Sequence, residues 1–342
     1  MTGAAEIGSL DRALLNVLQG DFPADRLPFR VLGEKLGIPA DEVLRRVRGL
    51  HDAGYVRSIA GIFDAAGLGY RSTLAAMHVD RARLDVAAAV VNAHPGVSHN
   101  YARDHYFNLW FTLSLPGEED AGAVISSLAM QAGAGEFIDL PAVRVFKLRV
   151  YFDMTGDGDT AIPAAATKLC LPDGGGLTLD DKRVVKQLCQ AMPLEDRPFD
   201  ALAEQSGLDV DYFLARMAEL RERGILRRYS AVLRHRKAGF AANAMTCWQA
   251  PEGVVEEAGR KASSRKEVSH CYQRRTAPGW PYNLFAMVHG RSRAECDVAA
   301  AAISQDIGIP GFLQLYSTKE YKKERVQYFV PSETTPAKAS AQ

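Results

Sequence analysis

The chain has 342 residues, 47% of them hydrophobic, with 41 basic and 41 acidic side chains and a formal net charge of zero. That length exceeds one ordinary domain and that apolar content suffices for real cores. The neutral total argues against a life on duplex DNA, which favours a basic excess or a basic face. The opening segment, Met1 to Leu10, has no basic stretch followed by an apolar run, and no stretch approaches the length of a membrane span. The expectation is therefore no signal peptide, no membrane and a cytoplasmic location. Five cysteines (Cys170, Cys189, Cys247, Cys271, Cys296) are odd in number and form no C-x-x-C pair, which argues against disulfides and structural zinc.

The chain is written twice. Residues 11–70 and 181–240 align at a constant offset of 170, matching Asp11 with Asp181, Pro28-Phe29 with Pro198-Phe199, Gly37 with Gly207 and Gly54 with Gly224. In the first copy Leu10, Leu14, Leu15 and Leu18 recur at helical spacing, with Asp11 early in the helix. Phe29, Leu32 and Leu36 predict a short second helix ended by Gly37, and Pro39-Ala40-Asp41 opens a third that buries Val43, Leu44, Val47 and Leu50. Tyr55 to Phe63 alternates and predicts a two-stranded wing, so the segment reads as a winged helix-turn-helix.

The next segment changes character. A strand over Thr73–Val79, a helix over Arg83–Ala93, a hairpin over Val97–Arg103 and Asn108–Leu115, a helix over Ala121–Met130 and a closing strand over Val143–Phe152 give the ferredoxin-like order β-α-β-β-α-β. Copy two repeats both parts, its second part running from Ala244–Gln249 to Phe312–Thr318. The predicted class is α+β, a tandem duplication. Its boundaries are 1–72 (winged helix-turn-helix), 73–154 (ferredoxin-like), 155–177 (Gly-rich linker), 178–242 and 243–330 (the second copy) and 331–342 (a disordered tail).

One polar string recurs about 30 residues after each wing: Val97-Ser98-His99-Asn100-Tyr101-Ala102-Arg103 and Val268-Ser269-His270-Cys271-Tyr272-Gln273-Arg274. A duplication keeps apolar spacing because cores need it, but packing gives no reason to keep Ser-His-x-Tyr-x-Arg. On a strand His99, Tyr101 and Arg103 share one face, as do His270, Tyr272 and Arg274. Each string is followed by an aromatic-Asn-Leu-aromatic strand, Phe107-Asn108-Leu109-Trp110 and Tyr282-Asn283-Leu284-Phe285. The turns differ: Asp104-His105-Tyr106 stands against the longer Arg275-Thr276-Ala277-Pro278-Gly279-Trp280-Pro281. His51, His78, His94, His235 and His289 have no match in the other copy and read as solvent-facing or structural.

A winged helix-turn-helix followed by β-α-β-β-α-β resembles the Lrp/AsnC regulators. With the paired strings and the Phe146-Lys147-Leu148 and Ser317–Lys322 closing strands, the chain resembles more closely one branch of that superfamily, the siroheme decarboxylases. Those consist of two homologous subunits, sometimes fused. The resemblance implies loss of carbon dioxide from two acetate side chains of siroheme, giving didecarboxysiroheme, in heme d1 or alternative heme biosynthesis. It implies an intramolecular pseudo-dimer, open to further self-association, whose partner is siroheme or a related iron tetrapyrrole. No cofactor or protein-owned metal is implied, because the iron arrives with the substrate.

Such a reaction needs a proton donor near neutral pH, which points to His99 and His270, with Tyr101 and Tyr272 as further donors or simply strand-favouring aromatics. The substrate's carboxylates suit the guanidinium forks of Arg103 and Arg274, with surface ion pairs as the alternative. Arg275 adds a cation, Trp280 a stacking surface and His105 a second imidazole. Asn108 and Asn283 either orient a neighbouring group or make a hairpin hydrogen bond. The rival is a tandem DNA-binding regulator with a small-molecule effector. Its recognition helices, Asp41–Ala53 and Asp209–Arg223, carry Arg45, Arg46, Arg48, Arg216, Arg221 and Arg223, but they start with acids where phosphate must approach. DNA binding is thus disfavoured.

Overall fold

The computed structural model describes residues 7–148, 176–233 and 242–330. Cys170, His235, most of the expected linker and the 331–342 tail lie outside the described residues. Copy one runs α1 (Ser9–Gly20), α2 (Pro28–Leu36), α3 (Ala40–Asp52), β1 (Val56–Phe63), β2 (Tyr70–His78), α4 (Leu84–Ala93), β3 (Val97–Arg103), β4 (Leu109–Pro116), α5 (Ala121–Ala132) and β5 (Glu136–Leu148). Copy two repeats this as α6 (Leu179–Leu188), α7 (Pro198–Ser206), α8 (Val210–Glu222), β6 (Leu226–Leu233), β7 (Ala242–Trp248), α9 (Val255–Ser264), β8 (Val268–Arg274), β9 (Leu284–Gly290), α10 (Arg293–Ile307) and β10 (Leu313–Lys323). Among the described residues, no helix is long and apolar enough to cross a membrane. The chain forms two compact units, each built from both copies: residues 1–69 with 151–239, and 70–150 with 240–342.

In the first unit the helical heptads bury Leu14, Leu15, Leu18, Val43, Val47 and their counterparts Val184, Val185, Leu188, Phe213 and Met217. Gly37 and Gly207 end α2 and α7 at φ 70°, the left-handed stop that glycine adopts without a Cβ clash. The two-stranded wing predicted within each copy is not what forms. Tyr55–Phe63 contains no turn pair, so it runs on as one eight-residue strand, and β1 pairs antiparallel with β6 of the other copy, Ile59 opposite Ala231. Reciprocal bonds lock the exchange: Phe22 N donates to Tyr229 O at 2.8 Å and Met192 N to Ile59 O at 2.9 Å. Phe22 packs on Phe29, Phe199 and Tyr229 with centroids 5.7, 6.5 and 6.1 Å apart, so the two copies share one aromatic core.

The duplicated aspartates now have a structural reason. Arg46 on α3 bonds Asp11 at 2.8 Å and Arg216 on α8 bonds Asp181 at 2.6 Å, tying each third helix to its first. Asp181 is fully buried and also closes a capping box with Thr178. The remaining named arginines are engaged as well: Arg45 with Glu42, Arg48 with Leu194 O, Arg221 with Asp21 and Arg223 with Asp181.

The second unit is a closed barrel of eight strands in the order β10-β3-β4-β2-β5-β8-β9-β7. Each copy supplies a ferredoxin-like sheet, and the closing strands join them. Residues 136–141 of β5 pair with β2, after which 142–148 pair with β8. In the same way β10 pairs first with β7 through Leu313–Tyr316, then with β3 through Ser317–Lys323. The closing strand was expected over Val143–Phe152 and instead begins at Glu136. Pro141 reads as a strand breaker, yet it sits where the strand leaves one partner for the next. Helices α4 and α5 cover one sheet over Ala75, Val91, Val97, Phe111 and Ile125, and α9 and α10 the other over Ala258, Ala262, Val268, Val288 and Ile303. A third cluster fills the barrel itself with Trp110, Ile138, Leu140, Cys247, Trp280, Phe285 and Leu315.

Candidate active site

A bulge aims each polar string. In β3 the register slips between Val97 and His99, and in β8 between Val268 and His270, so Ser98 and Ser269 are extra residues in their ladders. Without the slip Val97 and His99, two apart, would share a face. With it, Val97 joins the core under the helices, while His99, Tyr101 and Arg103 turn to the inside of the barrel. Asn100, between them, points the other way and donates to Asn92 Oδ1 at 2.9 Å on α4. Cys271 does the same in copy two, with Sγ 3.7 Å from Gly259 O on α9. β3 and β8 stand four places apart in an antiparallel barrel, so they run in the same direction. The two histidines therefore lie at one end and the two hairpin turns at the other.

At the histidine end the copies are alike in outline. Ser98 Oγ lies 3.0 Å from His99 Nδ1, and Ser269 Oγ lies 2.8 Å from His270 Nδ1. Each imidazole lies near parallel to the next tyrosine in the string, with centroids 6.3 Å apart for His99–Tyr101 and 6.4 Å for His270–Tyr272. Deeper, Arg103 lies 5.7 Å from the Tyr101 centroid and Arg274 lies 4.6 Å from that of Tyr272. Each guanidinium crosses to the other copy: Arg103 Nη1 donates to Leu315 O at 2.6 Å and Arg274 Nη1 to Leu140 O at 2.8 Å. Their Nε atoms are buried and have no protein acceptor. Both feel Cys247 between them, so two buried cations converge on the barrel centre.

The electrostatics follow from this geometry. Burial pushes the Arg103 guanidinium down to about 10 and lowers Arg274 as well. His270 is pushed down to about 3, chiefly by burial and then by His289, His99, Lys323 and Arg274. Burial, with Lys323, brings His289 down to about 4. Arg103, Arg274 and Lys323 make this part of the barrel interior electropositive, and carboxylates are the complement.

From sequence His289 reads as solvent-facing or structural, since copy one offers no match; the structure turns it inward beside the string. Its Nε2 lies 2.6 Å from Ser269 Oγ, which joins it to His270. The copy-one position is Ser114, whose hydroxyl pairs with Ser72 at 2.7 Å. His289 follows Phe285 and Met287 on the inward face of β9, and that alternation was the available signal. Lys323, opposite His99 on β10, was also missed. His94 is structural as expected, accepting from Gly96 N at 3.1 Å, and His78 stacks on Tyr106 at 4.1 Å.

Five other candidates sit at the hairpin end. Asn108 accepts from Val79 N at 3.0 Å and donates to Val79 O at 2.7 Å; Asn283 does the same with Ala250, at 2.8 Å both ways. Each amide thus bonds the main chain at both ends, which is the hairpin hydrogen bond of the two alternatives and braces the hairpins. Trp280 is 1% exposed and packs 5.0 Å from Trp110 and 5.5 Å from His105. Arg275 is exposed, and its backbone N donates to Pro141 O at 3.1 Å. The longer turn borders a cavity of about 530 Å³ lined by Gln249, Thr276, Ala277, Gly279, Trp280 and Pro281, none of them titratable.

Comparison with known proteins agrees with this architecture. Residues 67–147 and 237–322 match the family described as AsnC-like ligand binding domain, and residues 11–57 and 181–227 match the siroheme decarboxylase NirDL-like HTH domain. The chain is 41% identical to a siroheme decarboxylase of Hydrogenobacter thermophilus over 92% of its own length and 94% of that protein's. It is 42% identical over 45% of its length, and 88% of the relative's, to a siroheme decarboxylase alpha subunit of Desulfovibrio desulfuricans. The crystal structure of the siroheme decarboxylase NirDL in co-complex with an iron-uroporphyrin III analogue matches 94% of the chain and 95% of its own, at 37% identity and a TM-score of 0.71. Two homologous halves on one polypeptide, each with the helix-turn-helix and AsnC-like parts of that structure, leave one assignment: the chain belongs to the siroheme decarboxylase family, in its fused NirDL form.

Proposed function

We propose that the chain is a carboxy-lyase that removes carbon dioxide from two acetate side chains of siroheme, giving didecarboxysiroheme. The observation that carries this is the paired His-Tyr-Arg face inside one barrel, in a chain alike over nearly its whole length to siroheme decarboxylases. Each loss exchanges a carbon–carbon bond for a carbon–hydrogen bond. The electron pair is drawn toward the macrocycle, carbon dioxide departs and the methylene carbon takes a proton. His99 and His270 are the proton donors in this reading, with Tyr101 and Tyr272 beside them. Burial holds His270 down at about 3, so its imidazole is neutral at pH 7 in these surroundings. Substrate carboxylates brought alongside favour the imidazolium, so the donor is charged by the substrate it serves.

Arg103 and Arg274 supply fixed positive charge beneath the histidines, and their unspent Nε donors suit carboxylate. Trp280, His105 and Arg275 close the far end. The chemistry asks for no resident cofactor, and the iron enters as part of the substrate. The same reading puts the reaction in the cytoplasm, where buried thiols such as Cys247 and Cys271 stay reduced. Anaerobic incubation of the purified chain with siroheme is the test: stepwise loss of two carbon dioxide masses with a shifted absorption spectrum is expected. An unchanged substrate mass overturns the function. If His99→Ala and His270→Ala both turn over at the unmodified rate, the site assignment fails.

A further inference from the structure

The two strings are alike, but the strands on either side of them are not. His99 is paired with Lys323 on β10 and Thr112 on β4, whereas His270 is paired with Leu148 on β5 and Met287 on β9. One rung deeper, Tyr101 stands between Glu320 and Trp110, and Tyr272 between Val145 and Phe285. Residues directly opposite on an antiparallel ladder carry their side chains on the same face, so all of these turn into the barrel. The charge of Lys323 agrees, since it bears on His270 and His289, which stand on β8 and β9 across the interior. Copy one therefore flanks its histidine with an ammonium and a hydroxyl, and copy two with a leucine and a methionine. The polar groups beside His270 are Ser269 and His289, hydrogen-bonded to each other and both neutral at pH 7.

Loss of carbon dioxide responds unequally to those surroundings. A carboxylate carries its charge in the ground state and gives it up as the carbon–carbon bond breaks. An ammonium ion paired with it interacts more strongly in the ground state than in the transition state, so it tightens binding and slows the loss. An apolar wall does neither. Resting on the decarboxylase reading, we infer that Lys323 sets the order of the two losses: it holds one substrate acetate in an ion pair beside His99, so the acetate at copy two, walled by Leu148 and Met287, goes first. Arg103 and Arg274 occupy matching places in the two halves and do not set the order. Glu320 gives copy one an anion of its own at the Tyr101 rung, which steers the substrate carboxylate to Lys323. Each half performs the same balanced step. The bond between methylene and carboxylate breaks, its electron pair stays with the methylene carbon and the macrocycle, and carbon dioxide leaves. The imidazolium proton then forms the new carbon–hydrogen bond. Each histidine gives one proton, is left a neutral imidazole and takes another from water as the next substrate binds. Two losses need two protons, and the halves supply one each.

The test uses the full chain with siroheme under anaerobic single-turnover conditions, following the un-, mono- and di-decarboxylated masses, with affinity read by absorbance titration. In the unmodified chain the mono-decarboxylated species is expected to rise and then decay. Lys323→Met is expected to weaken siroheme binding by about tenfold and yet to speed the second loss by about threefold or more relative to the first. A lysine with a structural role alone does not give that split. Lys323→Arg, which keeps the cation, is expected to retain the order. Leu148→Lys places an ammonium opposite His270 and is expected to slow the first loss, so that the intermediate no longer accumulates. Lys322→Met is the control: Lys322 is paired with outward-pointing Asn100 and donates to Asn92 O at 2.9 Å, and its loss is expected to leave the time course unaltered. His99→Ala is expected to stall the reaction at the mono-decarboxylated species, and His270→Ala to stall it before the first loss. Unaltered affinity and rate ratio in Lys323→Met overturn the inference while leaving the decarboxylase intact. So do a joint loss of affinity and both rates in that variant, the reverse order in the histidine variants, or two losses without an intermediate in the unmodified chain. Should Lys323→Met not fold, an unchanged first loss in Leu148→Lys overturns it equally. If the unmodified chain leaves siroheme unchanged, the functional reading falls, and the order with it.

Discussion

Asn108 and Asn283 show one residue type kept in duplicate at the same structural hydrogen bond. Each replaces a missing ladder partner by pairing both amide ends with one main-chain residue, Val79 or Ala250. Asn108→Ala leaves the buried Val79 N–H and C=O without partners, a cost of about 1–3 kcal/mol for unsatisfied groups. The expected result is a lower denaturant midpoint with an unchanged slope, measured by equilibrium unfolding of the Asn108→Ala chain. The polar strings were legible at this scale because they recur, and recurrence without an apolar reason marks a site. His289 was not legible, because a residue that appears in one copy only looks like drift until its neighbours are known.

The elements explain why identical strings end up facing inward. Ser98 and Ser269 are bulged, and the bulge, not the alternation alone, puts valine under the helices and histidine inside the barrel. No residue in either string announces a bulge. The wing failed for a related reason: the alternation of Tyr55–Phe63 fixes a strand but does not name its partner, which is β6. The inward strands also carry a pH dependence. Unfolded imidazoles gain protons as pH falls through about 6.5, while folded His270 and His289 refuse them down to about 3 and about 4. In that window the unfolded state binds more protons, so stability falls as pH drops. Thermal unfolding between about pH 7 and pH 4.5 is expected to show a declining midpoint, with a shallower decline in His289→Gln. An equal decline in both chains counts against burial of His289 as a cause.

For the molecule as a whole, the duplication is what makes either unit possible. Half a chain has β1 without β6, and the second half of β5 without β8. Gly259 on α9 shows how closely the copies fit, since a Cβ there would stand 2.2 Å from the Phe146 ring on β5. Fragments 1–148 and 176–342, produced together, are expected to co-purify as a one-to-one complex, and each alone to aggregate through its open strand edges. Gel filtration with light scattering checks this; stable, monomeric single fragments would contradict it.

The sequence by itself determined the duplication, the helix-turn-helix and ferredoxin-like parts and the residue types of the site, because local periodicity and repeated polar strings are properties of neighbours along the chain. Only the tertiary structure decided which strand pairs with which copy, that the two histidines share one barrel end apart from the hairpin residues, and that His289 completes a chain through Ser269. Those are contacts between residues distant in sequence, and strand pairing leaves no trace in the alternation of either partner.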